Sequence, residues 1–502
     1  MNISVLLRRA AADHADDVAV RLDDLELTHA ELTERAGRFA AYLRAAGIAP
    51  GERVGFFLPN VVEYVVGLLG AWQAGAVGVP LNYLFPDAPL RHAVTDSGAR
   101  VLVLPPGDVE RLETVLEGAT PQLLTTGADF AEALAAHDPT EAVVPRLDGD
   151  DALIMYTSGS TGVPKGVRQT HRNVLAEAEG TIEFYGITGD DHVLNCMPMF
   201  HVGGLQLASV PLLLRGGQIT LMPRWDVEVW LDIAQRLRPT IGGLISTMMI
   251  DVGNRTAREP VRLDSFRFCM FGGSRTPTAA IERLENGTGI PGTEIYGQTE
   301  QNGLVVTYHP GEPRRPDSMG RPLDHIVATR LVPVDGSPDL VPGDPGVGEL
   351  CVHGDAVTPG YWHLEAAEKW AVDDEGRLWF RTGDLISRDA DGYLYYVDRI
   401  DDMIVSGGEN VFPQMVEEHL AGHPDLAEVA VIGTAHERWV EQVTAVVVPS
   451  RPGVTVAALD EWCRVHPDLR GMHRPRRIEI VEALPRTGSG KLNRPELRRI
   501  FP

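Results

Sequence analysis

Between residues 28 and 104, short apolar runs alternate with stretches whose apolar residues recur at helical intervals, and this alternation is the strongest constraint on the fold. Thr28 and Glu31 have the form of a capping box, in which a hydroxyl and a carboxylate three residues later satisfy backbone amides at the start of a helix. Leu32, Ala36, Phe39 and Leu43 then recur at helical spacing until Gly47 closes the run. A strand is expected over 54–58, a helix over 60–74, a strand over 77–81, a helix ending at Ser97 and a strand over 101–104. Strands joined by helices of this length form parallel βαβ units, so the expected fold class is α/β, with doubly wound sheets.

Further along, residues 331–360 turn rich in Gly, Pro and Asp, and short alternating strands such as 392–397 follow, which marks a smaller β-rich subdomain. Past Asp398 the pattern restarts with a helix over 413–420, strands over 429–432 and 443–448, a helix over 456–466 and a strand over 478–481. The expected division is a large N-terminal domain over 1–400 and a small C-terminal α/β domain over 401–502. Apolar residues at 44% and charged residues at 23% exclude a disordered or fibrous chain. A formal charge of −25 argues against an extended nucleic-acid or anionic-membrane footprint, which needs a basic face. Cys196, Cys269, Cys351 and Cys463 lie far apart without metal-ligand spacing, so neither a disulfide framework nor a zinc site is expected. The N-terminal charges follow a very short apolar run, the reverse of a secretory signal, and the least polar window, 65–81, is interrupted by Gln73, Pro80 and four glycines. The expectation is a cytoplasmic protein with no membrane span.

Two motif matches are set aside. Gly287-Thr288-Gly289-Ile290-Pro291-Gly292 has the spacing of a dinucleotide turn, but it follows a helical run and has proline where the next helix would begin. Residues 159–165 resemble a Walker loop, yet Pro164 stands at the glycine position and Gly166 follows the lysine. What remains there is a strand-like run over 152–155 leading into Thr157, Ser158, Gly159, Ser160, Thr161, Gly162 and Lys165. Glycines let backbone amides approach an anion, hydroxyls add donors and the ammonium supplies a point charge, which together make a phosphate cradle.

The segment 155–166 resembles the phosphate loop of the adenylate-forming superfamily, which includes acyl-CoA synthetases, peptide-synthetase adenylation domains and firefly luciferase. Seven further motifs follow in that family's order: Met197-Pro198-Met199-Phe200-His201-Val202-Gly203-Gly204, Gly272-Gly273-Ser274, Tyr296-Gly297-Gln298-Thr299-Glu300, Arg381-Thr382-Gly383-Asp384, Asp398-Arg399-Ile400-Asp401-Asp402, Ser406-Gly407-Gly408-Glu409-Asn410, and 485–491 ending in Lys491. Each motif also suits a physical task. Tyr296 offers a face to stack adenine, Thr299 a hydroxyl for phosphate, Glu300 a hard oxygen for Mg2+, and Asp384 two acceptors for ribose hydroxyls. The resemblance implies that Arg399 assists Asp384, that Gly272, Gly273, Ser274 and Gly297 line the adenine side, and that His201 gates the acyl pocket. It further implies that Lys491 swings in as the catalytic ammonium, that Asp401 is the hinge, and that Gly408 lines a pantetheine tunnel.

The implied reaction is ATP-dependent activation of a carboxylic acid as an acyl adenylate with release of pyrophosphate, then transfer to the thiol of coenzyme A. The implied cofactors are ATP, Mg2+ and coenzyme A as co-substrate. The expected partner is a small-molecule acid, with no nucleic acid and with a homodimer left open as the assembly. Met415, Met472-His473-Arg474-Pro475 and Ser246 depart from the family's pattern, and they bear on the acceptor and the acid. Two other readings stay open at this point: an adenylating enzyme with an amine acceptor or another oxyanion such as nitrite, and a non-catalytic nucleotide binder. Retention of Lys165, Glu300, Asp384 and Lys491 together weighs against the last. The chain has only three lysines among 45 basic residues, and two of them, Lys165 and Lys491, fall in the phosphate and C-terminal loops, while Lys369 has no assigned task.

Overall fold

The computed structural model describes residues 1–116, 118, 121–157, 163–273, 276–334, 344–406, 409–469, 471–486 and 492–502, without the side chain of Asn410. The chain divides into two compact units, one of residues 1–157, 164–329 and 352–380, the other of 158–163, 330–351 and 381–502.

In the first unit, Val18–Leu22 (β1) and Leu25–Thr28 (β2) form a hairpin, and Thr28 caps the helix His29–Ala45. The capping box is formed: the Glu31 amide donates to Thr28 Oγ1 at 3.2 Å and the Thr28 amide to Glu31 Oε2 at 2.9 Å. The expected alternation follows as Arg53–Phe56 (β3), a helix Val62–Gln73, Val77–Pro80 (β4), a helix Asp87–Ser97 and Val101–Leu104 (β5). The helix expected from residue 60 starts two residues later because the Asn60 side chain is committed elsewhere. It donates to Met197 O and accepts from the Met199 amide, both at 2.9 Å. Gln122–Thr125 (β6), Asp151–Thr157 (β7) and Lys165–Thr170 (β8) complete a six-stranded sheet of order β6-β5-β3-β4-β7-β8. Only the β7–β8 pair is antiparallel. Val79, Leu102 and Ile154 of this sheet pack with Leu90, Val94 and Leu112 from the covering helices.

A nine-stranded sheet adds His192–Asn195 (β9), Gln218–Leu221 (β10), Ile241–Ile245 (β11), Phe268–Gly272 (β12), Gly292–Tyr296 (β13), Val306–Thr307 (β14) and Arg321–Pro322 (β15). Its order is β15-β14-β13-β12-β11-β9-β10-β1-β2, parallel from β13 to β1 and antiparallel at both edges. Leu194, Leu244 and Phe271 meet Trp230, Met249 and Leu284 of the helices Val227–Leu237, Ser246–Arg258 and Thr278–Thr288 in one core. Parallel sheets covered by helices place ligands at the carboxyl ends of their strands. The motif residues of this unit follow those ends: β7 at Thr157, β9 before Met197, β12 at Gly272 and β13 at Tyr296. The turn at 287–292 joins a helix to a strand, as read from its proline.

In the second unit, Leu394–Arg399 pairs antiparallel with residues 384–388. Beyond it, Glu409–Val411, Ile404–Ser406, Val440–Pro449 and Leu426–His436 form a sheet in that order, with Arg477–Ile480 added parallel to Val440–Pro449. Val416, Leu420, Val431, Val443, Leu459 and Cys463 fill the core between this sheet and its helices. All four cysteines are buried free thiols. Among the described residues no helix is long and apolar enough to cross a membrane.

Glu177, in the helix His171–Tyr185 of the first unit, is fully buried and accepts a hydrogen bond from Thr181 Oγ1 at 2.6 Å. Burial pushes its carboxyl up to about 8. The folded state therefore holds this proton to higher pH than the unfolded chain does, and stability is lost as pH rises from the ordinary carboxyl range through about 8. Glu177→Gln removes that dependence. Relative to wild type, the variant should gain about 2–4 kcal/mol in urea unfolding between pH 5 and pH 8.5. A constant difference across that range would contradict the buried-acid reading.

Candidate active site

Thr157 ends β7 and Lys165 opens β8, directly opposite each other in the ladder, with Thr157 Oγ1 donating to Lys165 O at 3.5 Å. The neighbouring Tyr156 is anchored from behind by donating to Asp96 Oδ2 at 2.6 Å, and burial, reinforced by Asp96, pushes its phenol upward. Ser158, Gly159, Ser160, Thr161 and Gly162 lie outside the described residues. Lys165 Nζ sits 5.7 Å from the ring centroid of Tyr361.

Tyr296 closes β13, and the chain turns at Gly297 into the short helix Thr299–Gln301. A side chain at 297 would collide with Gly303 O, so only glycine lets the turn close. Glu300 is half-buried, and its Oε1 accepts from the Tyr361 hydroxyl at 2.8 Å. Buried amides hold this turn in place. Gln169 Nε2 donates to Thr299 O at 2.9 Å, Gln206 Nε2 donates to Gln169 Oε1 at 2.5 Å and to Asn302 Oδ1 at 2.8 Å, and Asn302 Nδ2 donates to Ala356 O at 2.6 Å. Gln206 belongs to the helical turn Gly203–Leu207 that follows His201. The His201 ring lies 4.6 Å from that of Phe200, which meets Tyr83 edge-on at 5.4 Å. Asn60, through Met197 and Met199, and Asn195, through Gly204, fix this segment from both sides.

Gly272 ends β12 beside Ile295, and Gly273 has φ +94° with no atom of the described residues, its chain neighbours aside, within 4 Å of the place a Cβ would take, which leaves room for a ligand against the backbone there. Ser274 lies outside the described residues. Ser246, one of the departures noted in the sequence, donates to Gly272 O at 3.2 Å and accepts from Thr276 Oγ1 at 2.9 Å. It thus ties the start of the helix Ser246–Arg258 to this glycine pair.

In the second unit Asp384, 3% exposed, stands opposite Arg399 in the ladder, with Arg399 Nη1 at 3.2 Å from its Oδ1. The turn before it is held by Glu349, which pairs with Arg381 at 2.5 Å and accepts from the Gly383 amide at 3.0 Å. Arg399 also approaches the exposed Asp401 at 3.8 Å. Asp398 accepts from the amides of Arg399 and Gln414, both at 2.7 Å, and burial pushes its carboxyl up to about 6 against those bonds. Asp402 pairs with Arg498 at 2.9 Å and Arg494 at 3.7 Å, and Arg494 pairs with Glu417 at 2.6 Å. The helix Arg494–Ile500, just past Lys491, is thereby bound to the segment that carries Asp401. Gly408 and Lys491 themselves lie outside the described residues.

The structure therefore groups Thr157, Lys165, Tyr296, Gly297, Thr299 and Glu300 in one unit, and Asp384, Arg399 and Asp401 in the other. The sequence reading missed Tyr361, Gln169, Gln206, Asn302 and Asn60. Only the Asn302-Gly303 pair carried a local signal, that of a tight turn with φ +59° at the asparagine. The donor set suits a nucleotide with a hard cation: a carboxylate and hydroxyls for the metal, an ammonium for phosphate, and open backbone at Gly273.

Parallel-strand ends carrying such a set suit a nucleotide-binding enzyme. The AMP-binding enzyme family model matches residues 7–362 and the AMP-binding enzyme C-terminal domain matches residues 415–491. The chain belongs to the AMP-binding enzyme family. It is 37% identical to the feruloyl-CoA synthase of an Amycolatopsis species, over 99% of this chain and 98% of that protein. It is 34% identical to the long-chain-fatty-acid–CoA ligase FadD13 of Mycobacterium tuberculosis, over 95% of this chain and 94% of that one. Among solved structures, ATP-bound MatB from Rhodopseudomonas palustris aligns with a TM-score of 0.88 at 27% identity, over 100% of this chain and 99% of that chain.

Gln206→Leu leaves Gln169 Oε1 and Asn302 Oδ1 without their shared buried donor. The variant should lose about 2–4 kcal/mol in urea unfolding. A loss below about 0.5 kcal/mol, the scale of a neutral surface change, would show that the amides do not hold the turn.

Proposed function

We propose that the chain is an AMP-forming acid:CoA ligase acting on a carboxylic acid with an apolar tail. The observation that carries this reading is the grouping of Lys165 at the start of β8 with Tyr361 and with Glu300 just past β13, within a chain of the AMP-binding enzyme family. A carboxylate oxygen attacks the α-phosphorus of ATP, the bond to the β-bridging oxygen breaks, and pyrophosphate leaves. The thiol sulfur of coenzyme A then attacks the acyl carbon, its proton goes to solvent, and AMP departs with the carboxyl-derived oxygen.

Lys165 and Thr157, with Ser158, Gly159, Ser160, Thr161 and Gly162, hold the departing phosphates. Tyr296 stacks adenine, Gly297, Gly272, Gly273 and Ser274 line the adenine side, and Asp384 with Arg399 takes the ribose hydroxyls. Glu300 would hold Mg2+, which when bound would neutralise phosphate charge as it develops, and Thr299 offers its hydroxyl to the phosphate. Lys491 places an ammonium between the attacking carboxylate and the α-phosphate, and His201 gates the acyl side. A C-terminal domain over 401–502 turns about Asp401, removes Lys491 and brings Gly408 to the pantetheine, so one site serves two steps. The segment around His201 supports an apolar acid, because Met197, Met199 and Phe200 are buried there and no charged side chain interrupts 196–207. The feruloyl-CoA synthase relative favours an aromatic one. Reduced, buried thiols fit a cytoplasmic location.

The test is pyrophosphate release over aromatic and aliphatic acids, and nitrite with an arylamine, each with and without coenzyme A. A coenzyme A thioester of an apolar acid is expected. Absence of a thioester from every activated acid would refute the coenzyme A reading, and release with nitrite alone would favour the other oxyanion. Lys491→Ala should lose at least about a hundredfold in adenylate formation yet keep thioester formation from supplied adenylate. Equal loss of both steps would refute the use of two orientations.

The lysine distribution gives a separate prediction. Lys165→Arg should lower pyrophosphate release about tenfold or more, since a forked guanidinium does not fit where a compact ammonium meets phosphate. Lys369→Arg, outside the motifs, should keep wild-type release; equal loss in both variants would remove the special standing of Lys165.

A further inference from the structure

Residues 355–362 cross the first unit and touch both the phosphate strand and the carboxylate turn. The Thr358 amide donates to Glu300 O at 2.8 Å, the Arg168 amide to Gly360 O at 3.1 Å, and the Trp362 amide to Gly166 O at 2.7 Å. Tyr361 forms a bridge with Val167 of β8, two residues past Lys165. The residue is 9% exposed and its side chain reaches both groups: the hydroxyl donates to Glu300 Oε1 at 2.8 Å, and the ring centroid lies 5.7 Å from Lys165 Nζ.

We propose that Tyr361 is a positioning residue for the metal and phosphate site, orienting the Glu300 carboxylate through its hydroxyl and holding the Lys165 ammonium with its ring face. The inference rests on the reading of Glu300 as the metal carboxylate. A carboxylate that binds a cation through one oxygen gains from a fixed donor on the other, which stops its rotation and sets the lone pairs that face the cation. With Oε1 taken by Tyr361, Oε2 is the oxygen presented to a divalent ion. The ring acts differently on Lys165. It attracts the ammonium without accepting its hydrogen bonds as a carboxylate would, so the N–H groups stay available to phosphate oxygens. One side chain thus sets two ligands through two separate parts, and the backbone of 358–362 fixes its place relative to both.

The experiment titrates the full chain with Mn2+ by electron paramagnetic resonance in the presence of α,β-methylene-ATP, with thermal unfolding run alongside. Tyr361→Phe keeps the ring and removes the hydroxyl. It should weaken Mn2+ binding about tenfold, with unchanged affinity for the analogue at saturating Mn2+ and an unchanged melting temperature. Tyr361→Leu removes the ring as well and should also weaken the analogue about threefold. Glu300→Gln is the reference and should lose Mn2+ at least as strongly as Tyr361→Phe. If Glu300→Gln loses Mn2+ and Tyr361→Phe binds like wild type, the inference is overturned while the reading of Glu300 stands. If Tyr361→Phe loses melting temperature in step with Mn2+ affinity, its effect is structural and the inference is again overturned. If Glu300→Gln binds Mn2+ like wild type, the metal reading fails and the inference falls with it.

Discussion

The turn that carries Thr299 and Glu300 depends on three buried amides, Gln169, Gln206 and Asn302, which hydrogen-bond one another and the backbone around them. Each comes from a different part of the first unit: β8, the helical turn after His201, and the loop after β13. A buried amide without partners costs more than a made hydrogen bond returns, so this set is stable only when all three segments are in register. That requirement couples β8, the His201 segment and the turn at Thr299 and Glu300 without any of the three being covalently close. The fold's other polar anchors obey the same rule. Asn60 and Asn195 each spend both ends of their amide on buried backbone groups.

Around this centre, parallel strands do the coarse placement. Because β7, β9, β12 and β13 all run the same way into their loops within their sheets, Thr157, the 197–204 segment, Gly272 and Tyr296 emerge from strand ends instead of being scattered along helices. Glycine then decides how close the loops come, with Gly297 seated against Gly303 and Gly273 held at φ +94°. The amides and the 355–362 segment supply the last ångström.

Much of this was legible in the chain, and the reason is locality. The capping box at Thr28, the strand and helix alternation to Leu104 and the ordered motifs each depend on neighbours in sequence, and the fold and family they implied stand. What escaped was long-range polar pairing. Gln206 reads as one more polar residue after a glycine pair, and nothing within several positions shows that it meets Asn302, 96 residues away. Tyr361 sits 61 residues past Glu300 in a Gly- and Pro-rich stretch that reads as a turn. The start of the helix at Val62 was misplaced for the same reason, since the partners of Asn60 lie 137 and 139 residues on.

The division of labour between the two cations follows from the same geometry. Where the chain builds internal ion pairs it uses the arginine fork: Arg381 places two nitrogens on Glu349, Arg494 spans Glu417 and Asp402, and Arg451 meets both oxygens of Asp425. A planar guanidinium holds a carboxylate in one orientation, which suits a fixed scaffold. Lys165 has the opposite setting. Its ammonium faces an aromatic ring at 5.7 Å, and in sequence it closely follows the hydroxyl-rich run 157–161. A ring gives attraction without claiming a donor, so the charge is held in place and still able to spend every N–H on a ligand. In an acidic chain that writes arginine for 42 of its 45 lysine and arginine positions, Lys165 is one of only three lysines.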